Sequence, residues 1–329
     1  MIKIPERIQL ANLPTKIERL ERLSQELGGP EIYIKRDDQT GTELSGNKVR
    51  KLEYSVKEAI DNGCDCLITC GGLQSNHCRA TAAVAAKQGM KSCLVLRGEE
   101  NASPEGNLLI DRLLGADIRF ITAEEYSNER TEIMESIKQD MKQKGFKPYI
   151  IPEGASNGIG SFGYYTAMEE IIAQEKELDI RFDCIVLAVG SGGTYSGLWL
   201  ANKLLNHSSD IYGINVGGDA FYFKTKIQEI LYESMKYPDV NMTVSKDEIN
   251  IIDGYVGRGY ALSRPEELKF IHDLAKLEGI ILDPVYTGKA MYGLTEEIKK
   301  GTFKDYKNIL FIHTGGLFGL FPQGNLFEF

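Results

Sequence analysis

Short apolar runs alternate along this chain with longer stretches in which apolar residues recur every three or four positions. Glu31-Ile32-Tyr33-Ile34-Lys35 reads as a strand, and a helix opens at about Asn47. In that helix Val49, Leu52, Val56, Ala59 and Ile60 recur at helical spacing, so one buried face is expected there. Strand-like runs follow at Cys66-Leu67-Ile68-Thr69-Cys70, Ser92-Cys93-Leu94-Val95-Leu96, Ile118-Arg119-Phe120-Ile121 and Pro148-Tyr149-Ile150-Ile151. Between them lie an alanine-rich helix to about Ala86, a helix near 104–114 and a charged helix ending near Gly145. The alternation resumes after Glu153-Gly154-Ala155-Ser156-Asn157-Gly158, which reads as a loop. A helix starts at about Phe162, and the most apolar strand is Cys184-Ile185-Val186-Leu187-Ala188-Val189. Further strands are Ile211-Tyr212-Gly213-Ile214-Asn215-Val216 and Asn308-Ile309-Leu310-Phe311-Ile312, with helices predicted near 197–205, 220–235, 265–278 and 289–300. Strands alternating with helices predict an α/β protein with parallel sheets. We expect a smaller βαβ unit over 53–159 and a larger unit built from 1–52 and 160–329, with no obvious linker between them.

Composition narrows the class. The 329 residues suffice for two domains, and 42% hydrophobic with 26% charged residues is usual for a soluble globular chain. A net charge of -9 argues against nucleic acid or an anionic membrane as the main partner. No apolar run approaches the roughly 20 residues that span a bilayer. The N-terminal stretch lacks an apolar signal core, so a cytoplasmic location is expected. Cys64, Cys66, Cys70, Cys78, Cys93 and Cys184 do not follow the paired spacing of a zinc site, and they read as buried, reduced thiols. No H-E-x-x-H pattern occurs.

Chemistry concentrates where strands give way to helices. Lys48 and Lys51 share a face at the positive end of the predicted helix, a placement that lowers an amine's pKa and suits a nucleophile. Taken alone, the stretch reads more readily as two solvated surface lysines, and the rest of the chain changes that weighting. Gly190-Ser191-Gly192-Gly193-Thr194-Tyr195-Ser196-Gly197 joins the most apolar strand to a helix, so its N–H groups form an anion site open to a phosphate. It is not a Walker loop, and Tyr195 stands where a dinucleotide fingerprint has its third glycine. Gly72-Leu73-Gln74-Ser75-Asn76-His77 also opens a helix, as a cap or as a cradle for a substrate carboxylate. Tyr286-Thr287 and His313-Thr314-Gly315-Gly316 place hydroxyls at strand ends, where open α/β sheets bind ligands.

These features together need a ligand with a phosphate, an electrophile for a lysine and a polar ring edge, which pyridoxal phosphate provides. The chain resembles the fold-type II pyridoxal-phosphate family (tryptophan-synthase-β-like) that contains 1-aminocyclopropane-1-carboxylate deaminase and D-cysteine desulfhydrase. The likeness runs from about Lys35 to Gly316. It is carried by Gly46-Asn47-Lys48-Val49-Arg50-Lys51-Leu52-Glu53, Gln74-Ser75-Asn76-His77 and Asp283-Pro284-Val285-Tyr286-Thr287-Gly288-Lys289. The resemblance implies two open twisted parallel-sheet domains, a homodimer and pyridoxal 5'-phosphate as cofactor. It makes Lys48 the Schiff-base lysine and Lys51 its basic companion, and has Asn76 bond the cofactor's ring hydroxyl. Ser75, Asn76 and His77 would hold the substrate, Gly190, Ser191, Gly192, Gly193 and Thr194 would cradle the phosphate, and Tyr260 and Tyr286 would face the reacting atoms with Lys48 and Ser75.

The deaminases of that family carry Glu and Leu where this chain has Thr287 and Thr314, as the desulfhydrases do. A carboxylate beside the ring nitrogen keeps it protonated, whereas a hydroxyl leaves it nearer neutral. Sequence alone does not choose which threonine meets that nitrogen. The resemblance therefore implies β-elimination of D-cysteine to pyruvate, sulfide and ammonia. The alternatives are a 1-aminocyclopropane-1-carboxylate deaminase, a lyase for a related substrate such as β-chloro-D-alanine or L-cysteate, and a non-catalytic amino-acid or cofactor binder on the same scaffold. A nucleotide-binding module is a weaker rival.

Overall fold

Two sheets organise the chain, whose computed structural model describes residues 2–328. The larger has the order β1-β2-β10-β7-β8-β9, with β1 Ile17–Arg19, β2 Glu31–Lys35, β7 Cys184–Val189, β8 Asp210–Asn215, β9 Asn250–Ile252 and β10 Asn308–Ile312. All its pairs are parallel except β1 with β2. The smaller sheet is parallel throughout, in the order β5-β4-β3-β6, with β3 Cys66–Gly72, β4 Lys91–Arg97, β5 Asp117–Ile121 and β6 Pro148–Ile150. Central strands of such sheets are covered on both faces, which is why β3, β7 and β10 are continuous apolar runs.

The covering helices are α1 Glu21–Leu27, α2 Asn47–Asp61, α3 Asn76–Lys87, α4 Gly106–Leu113, α5 Ala123–Asn128 and α6 Arg130–Gln143. After β6 come α7 Gly158–Leu178, α8 Gly193–Leu204, α9 Ala220–Ser234, α10 Pro265–Glu278, α11 Thr287–Lys299 and the short α12 Leu317–Leu320. The stripe expected on α2 is buried at Val49, Leu52, Val56 and Ala59, all 0% exposed, and stops there: Ile60 is 38% exposed in the last turn. β1 and β9 were not anticipated, because three residues are too few for a period to register. The expected division at 52/53 falls inside α2, so we propose that the two units share this helix rather than meeting at a linker. Among the described residues no helix is long and apolar enough to cross a membrane, and no group of His, Cys, Asp and Glu is arranged to hold a metal.

Two close approaches seat α7 between α2 and α8. A Cβ on Gly163 of α7 would lie 2.4 Å from the Arg50 carbonyl, and one on Gly197 of α8 would lie 2.1 Å from the Ser161 carbonyl. Glycine thus lets α7 run backbone against backbone with α2 on one side and α8 on the other. Behind the same turn of α2 a charged cluster is sealed in. Arg50 Nη2 bonds Asp37 Oδ1 at 2.8 Å, Arg50 Nη1 bonds Glu170 Oε2 at 3.0 Å, and Lys35 Nζ bonds Glu170 Oε1 at 2.6 Å. Thr15 Oγ1 donates to Asp37 Oδ1 at 2.8 Å, and the Tyr164 hydroxyl donates to Asp37 Oδ2. Burial alone would raise the Asp37 carboxyl, but Arg50 and Lys35 outweigh it and hold it below the usual range.

Candidate active site

The carboxyl ends of strands from both sheets face one cleft, whose enclosed space is about 70 Å³. Lys48, Ser75, Asn76, His77, Gly190, Ser191, Gly192, Thr194, Tyr260, Tyr286 and Thr314 all line it, although nearly the whole chain separates the first from the last.

α2 starts where Asn47 N–H donates to the Thr314 carbonyl at 3.1 Å. Gly46, at φ 87°, permits that approach, since a Cβ there would sit 2.7 Å from the same oxygen. Lys48 projects into the cleft and makes no hydrogen bond to any described residue. Burial holds its amine down to about 8, with the Glu153 carboxylate pulling the other way. Lys51, one turn on, lies behind the wall rather than on it. Its Nζ donates to Gly154 O at 2.6 Å and Ser156 Oγ at 2.7 Å. Burial first, then the charge of Lys48, pushes this amine well below its ordinary value, and no acidic partner offsets them.

The glycine loop turns from β7 into α8 beside Lys51. Gly192, at φ 87°, is the N-cap and offers no side-chain cap, so the first N–H groups of α8 remain open to a ligand. Ser191 and Ser156 hydroxyls meet at 2.7 Å. Gly193 does not line the cleft, but a Cβ there would lie 2.6 Å from Lys51 Nζ, so glycine is what lets the lysine come up behind the loop. Gly190 similarly gives room to the Tyr286 ring, which a Cβ would approach to 3.0 Å.

Across the cleft Ser75 caps α3, accepting from Cys78 N–H at 3.2 Å. Asn76 Oδ1 accepts from Asn107 Nδ2 at 3.1 Å, which leaves the Asn76 amide nitrogen as its free donor. His77 Nε2 lies 2.8 Å from Thr69 Oγ1, whose own proton goes to Ile151 O at 2.8 Å. His77 Nδ1 is buried and meets no partner in hydrogen-bond geometry among the described residues, while the Pro152 backbone acts on the ring. Burial, then Lys48 and Lys51, keep this imidazole neutral.

Tyr260 and Tyr286 are joined through their hydroxyls, with ring planes at 70°. Burial raises both phenols, Tyr286 well above its ordinary value, so they act as neutral donors. The two threonines part company. Thr314 lines the cleft, while Thr287 is buried and its hydroxyl donates to Asp283 Oδ1 at 2.7 Å and accepts from Asp283 N–H at 2.9 Å. Asp283 also receives the N–H groups of Val285, Tyr286 and Thr287, so it shapes the tyrosine turn.

The sequence reading did not single out Asn47, Glu153, Gly154 or Ser156. Asn47 donates to Thr194 Oγ1 at 3.0 Å, tying α2 to the glycine loop, and Glu153 is the one carboxylate in the lining among the described residues. It accepts from the Tyr126 hydroxyl at 2.8 Å. Glu153 follows the end of β6 as Ser75 follows β3, a positional signal that was available. Tyr195 also borders the cleft, but its hydroxyl is spent on Ile211 O and Asn250 N–H.

An uncapped helix start, a buried amine behind it and a free lysine define a site for a phosphate-bearing aldehyde. The chain belongs to the family of pyridoxal-phosphate dependent enzymes, whose family model it matches over residues 8–315. It is 45% identical over 319 residues to a putative 1-aminocyclopropane-1-carboxylate deaminase of Thermotoga maritima, covering 96% of this chain and 98% of that one. It is 44% identical to the bifunctional D-cysteine desulfhydrase/1-aminocyclopropane-1-carboxylate deaminase, mitochondrial, of Arabidopsis thaliana, covering 95% and 79%. Its identity to a D-cysteine desulfhydrase of Yersinia pestis is 39%, covering 96% of each. The crystal structure of an ACC deaminase homologue superposes with a TM-score of 0.89 at 40% identity, covering 98% of this chain and 95% of that one. A threonine deaminase at 18% identity and a TM-score of 0.67 shares the fold.

The cofactor is pyridoxal phosphate, and the residues present fit it. The uncapped α8 amides and the Lys51 amine suit a phosphate, the Lys48 amine has no hydrogen bond among the described residues to compete with an aldehyde, and Asn76 keeps an amide donor for a ring hydroxyl.

Proposed function

We propose that this enzyme is a lyase that eliminates the β-substituent of D-cysteine, consuming water and giving pyruvate, sulfide and ammonia. Pyridoxal phosphate supplies the electron sink that makes the substrate's α-proton removable. The α8 amides, Ser191 and Lys51 would hold the phosphate end, and Asn76 would donate its amide to the ring hydroxyl. Lys48, held near 8, would carry the cofactor through its amine, and with that amine free its Nζ would take the substrate's α-proton. Ser75 and the start of α3 receive the substrate carboxylate. Tyr260 and Tyr286, neutral and linked, donate to the departing sulfur.

The observation that carries the reading is the divergence of the two threonines. Thr314 offers the cleft a neutral hydroxyl, Thr287 is committed to Asp283, and the lining carboxylate, Glu153, comes from the smaller sheet's side. A neutral partner at the ring nitrogen weakens the sink. That suffices to expel sulfide, a good leaving group, and suits cyclopropane opening less. The second reading, 1-aminocyclopropane-1-carboxylate deamination, draws support from the names of the Thermotoga and Arabidopsis relatives.

The test offers cofactor-loaded protein D-cysteine, L-cysteine and 1-aminocyclopropane-1-carboxylate separately and assays keto acid. Pyruvate with sulfide from D-cysteine alone is expected. 2-Oxobutyrate from the cyclopropane substrate at a comparable rate would sink the threonine argument.

A further inference from the structure

Tyr260 sits at the tip of an unusual loop. Gly257, Gly259 and Ala261 have φ of 75°, 146° and 60°, so the backbone around the tyrosine is left-handed at three alternate positions, one of them not glycine. The main-chain bonds that close the loop are Arg258 N–H to Leu262 O at 2.9 Å and Leu262 N–H to Gly259 O at 3.1 Å. The turn directs the carbonyls of Val256, Gly259 and Leu262 at one point. Three carbonyl dipoles aimed together repel one another unless a cation stands between them, the arrangement by which rings of carbonyls bind ions.

Lys289 provides that cation. Its side chain is 0% exposed, and its Nζ donates to Val256 O at 2.6 Å, Gly259 O at 2.9 Å and Leu262 O at 3.3 Å. An ammonium has three N–H donors, and these three oxygens take all of them. Lys289 lies in the first turn of α11, three residues after Tyr286, and Ser263 Oγ adds a tether to Pro284 O at 2.7 Å. The loop bearing one tyrosine is thereby fastened to the turn bearing the other. Glu267, also 0% exposed, flanks the ammonium across Gly257 but makes its own bonds to Arg264.

We infer that Lys289 is a positioning residue that sets the Tyr260 hydroxyl against Tyr286, acting as a built-in cation at the centre of the Tyr260 loop. The inference rests on the reading that these tyrosines face the substrate. Its physical core is the loop's dependence on a central positive charge, which is separable from that reading.

The experiment uses cofactor-loaded Lys289→Ala enzyme, with and without ammonium chloride at matched ionic strength. Three readouts are followed: D-cysteine kinetics, the cofactor's visible absorbance, and tryptic cleavage after Arg258 within the loop. Loss of the cation should lower kcat/KM about 100-fold, the usual effect of misplacing a reacting group by about an ångström. Cofactor absorbance should persist and cleavage at Arg258 should accelerate about tenfold or more, an increase on the same order as the loss of loop order. Ammonium should reverse the kinetic and proteolytic changes saturably in the variant and leave the wild type unaffected. In a Tyr260→Ala background Lys289→Ala should cost no further activity. Wild-type kcat/KM in the variant, or an equal loss in both backgrounds, would overturn the inference. If the alanine variant does not fold, Lys289→Gln, which keeps two N–H donors, is measured in its place. If the wild type does not turn over D-cysteine, the proteolysis arm decides alone: protection lost and restored by ammonium supports the loop's dependence on the cation, and unchanged protection refutes it.

Discussion

Lys48 and Lys51 are one turn apart on one helix, yet the fold gives them opposite surroundings. Lys51 is enclosed by a carbonyl and a hydroxyl; Lys48 has an open cleft and no hydrogen bond. In the proposed mechanism it is the neutral Lys48 amine that attacks the cofactor's aldehyde, so attachment of pyridoxal phosphate to cofactor-free protein should quicken about tenfold per pH unit below 8 and level above it. A lysine at its ordinary 10.5 would keep climbing past pH 10, and a stopped-flow profile of that shape would contradict the assignment. Lys48→Ala should show no covalent attachment and no turnover. The sign of the linked stability effect follows: between about 8 and 10.5 the unfolded chain binds this proton more tightly, so Lys48 makes the cofactor-free protein more stable as pH rises through that window. At the same scale Thr287 marks where sequence reading stopped. Its hydroxyl and that of Thr314 looked equivalent, and only the Asp283 carboxylate, four residues upstream, separates them.

The central strands were legible because a parallel strand buried on both faces must be apolar over most of its length. β7 and β10 have the bounds that their apolar runs implied, and β2 has the bounds read for it although Glu31 and Lys35 stand at its ends. Glycine at the head of α8 was legible as an anion loop for a similar reason of local chemistry. What α7 does was not, because its glycines answer to backbones far away in sequence. Gly163 sits against Arg50 and Lys51 of α2, and Gly197 of α8 sits against Ser161. In the proposed mechanism α7 thereby sets the gap between Lys48 and the start of α8, the two ends that would hold the cofactor. Gly163→Ala should destabilise the fold by about 1–3 kcal/mol, as overpacking does, and weaken cofactor affinity about tenfold as the gap widens. Thermal unfolding and equilibrium dialysis measure the two. Unchanged affinity with lowered stability would show that the spacing is not what the cofactor senses.

Over the whole molecule, the sealed cluster of Lys35, Asp37, Arg50 and Glu170 joins β2, the turn after it, α2 and α7. Arg50→Met removes the partner of a fully buried carboxylate, which costs about 3–5 kcal/mol in such settings. Urea unfolding should register it, and a loss under about 1 kcal/mol would mean that the cluster relaxes by admitting water. The pairing of these charges was beyond the sequence. Arg36-Asp37-Asp38 read as a polar strand end, and Glu170 lies far away in α7.

The order of strands in the larger sheet also bears on how the chain is made. β10 is inserted between β2 and β7, which touch each other only through it. The smaller sheet draws all four strands from residues 66–150, so a chain emerging from the ribosome can complete it early. The larger one waits for Asn308–Ile312, and with it waits Thr314, against whose carbonyl α2 begins. A growing chain therefore carries Lys48 long before it can seat a cofactor there.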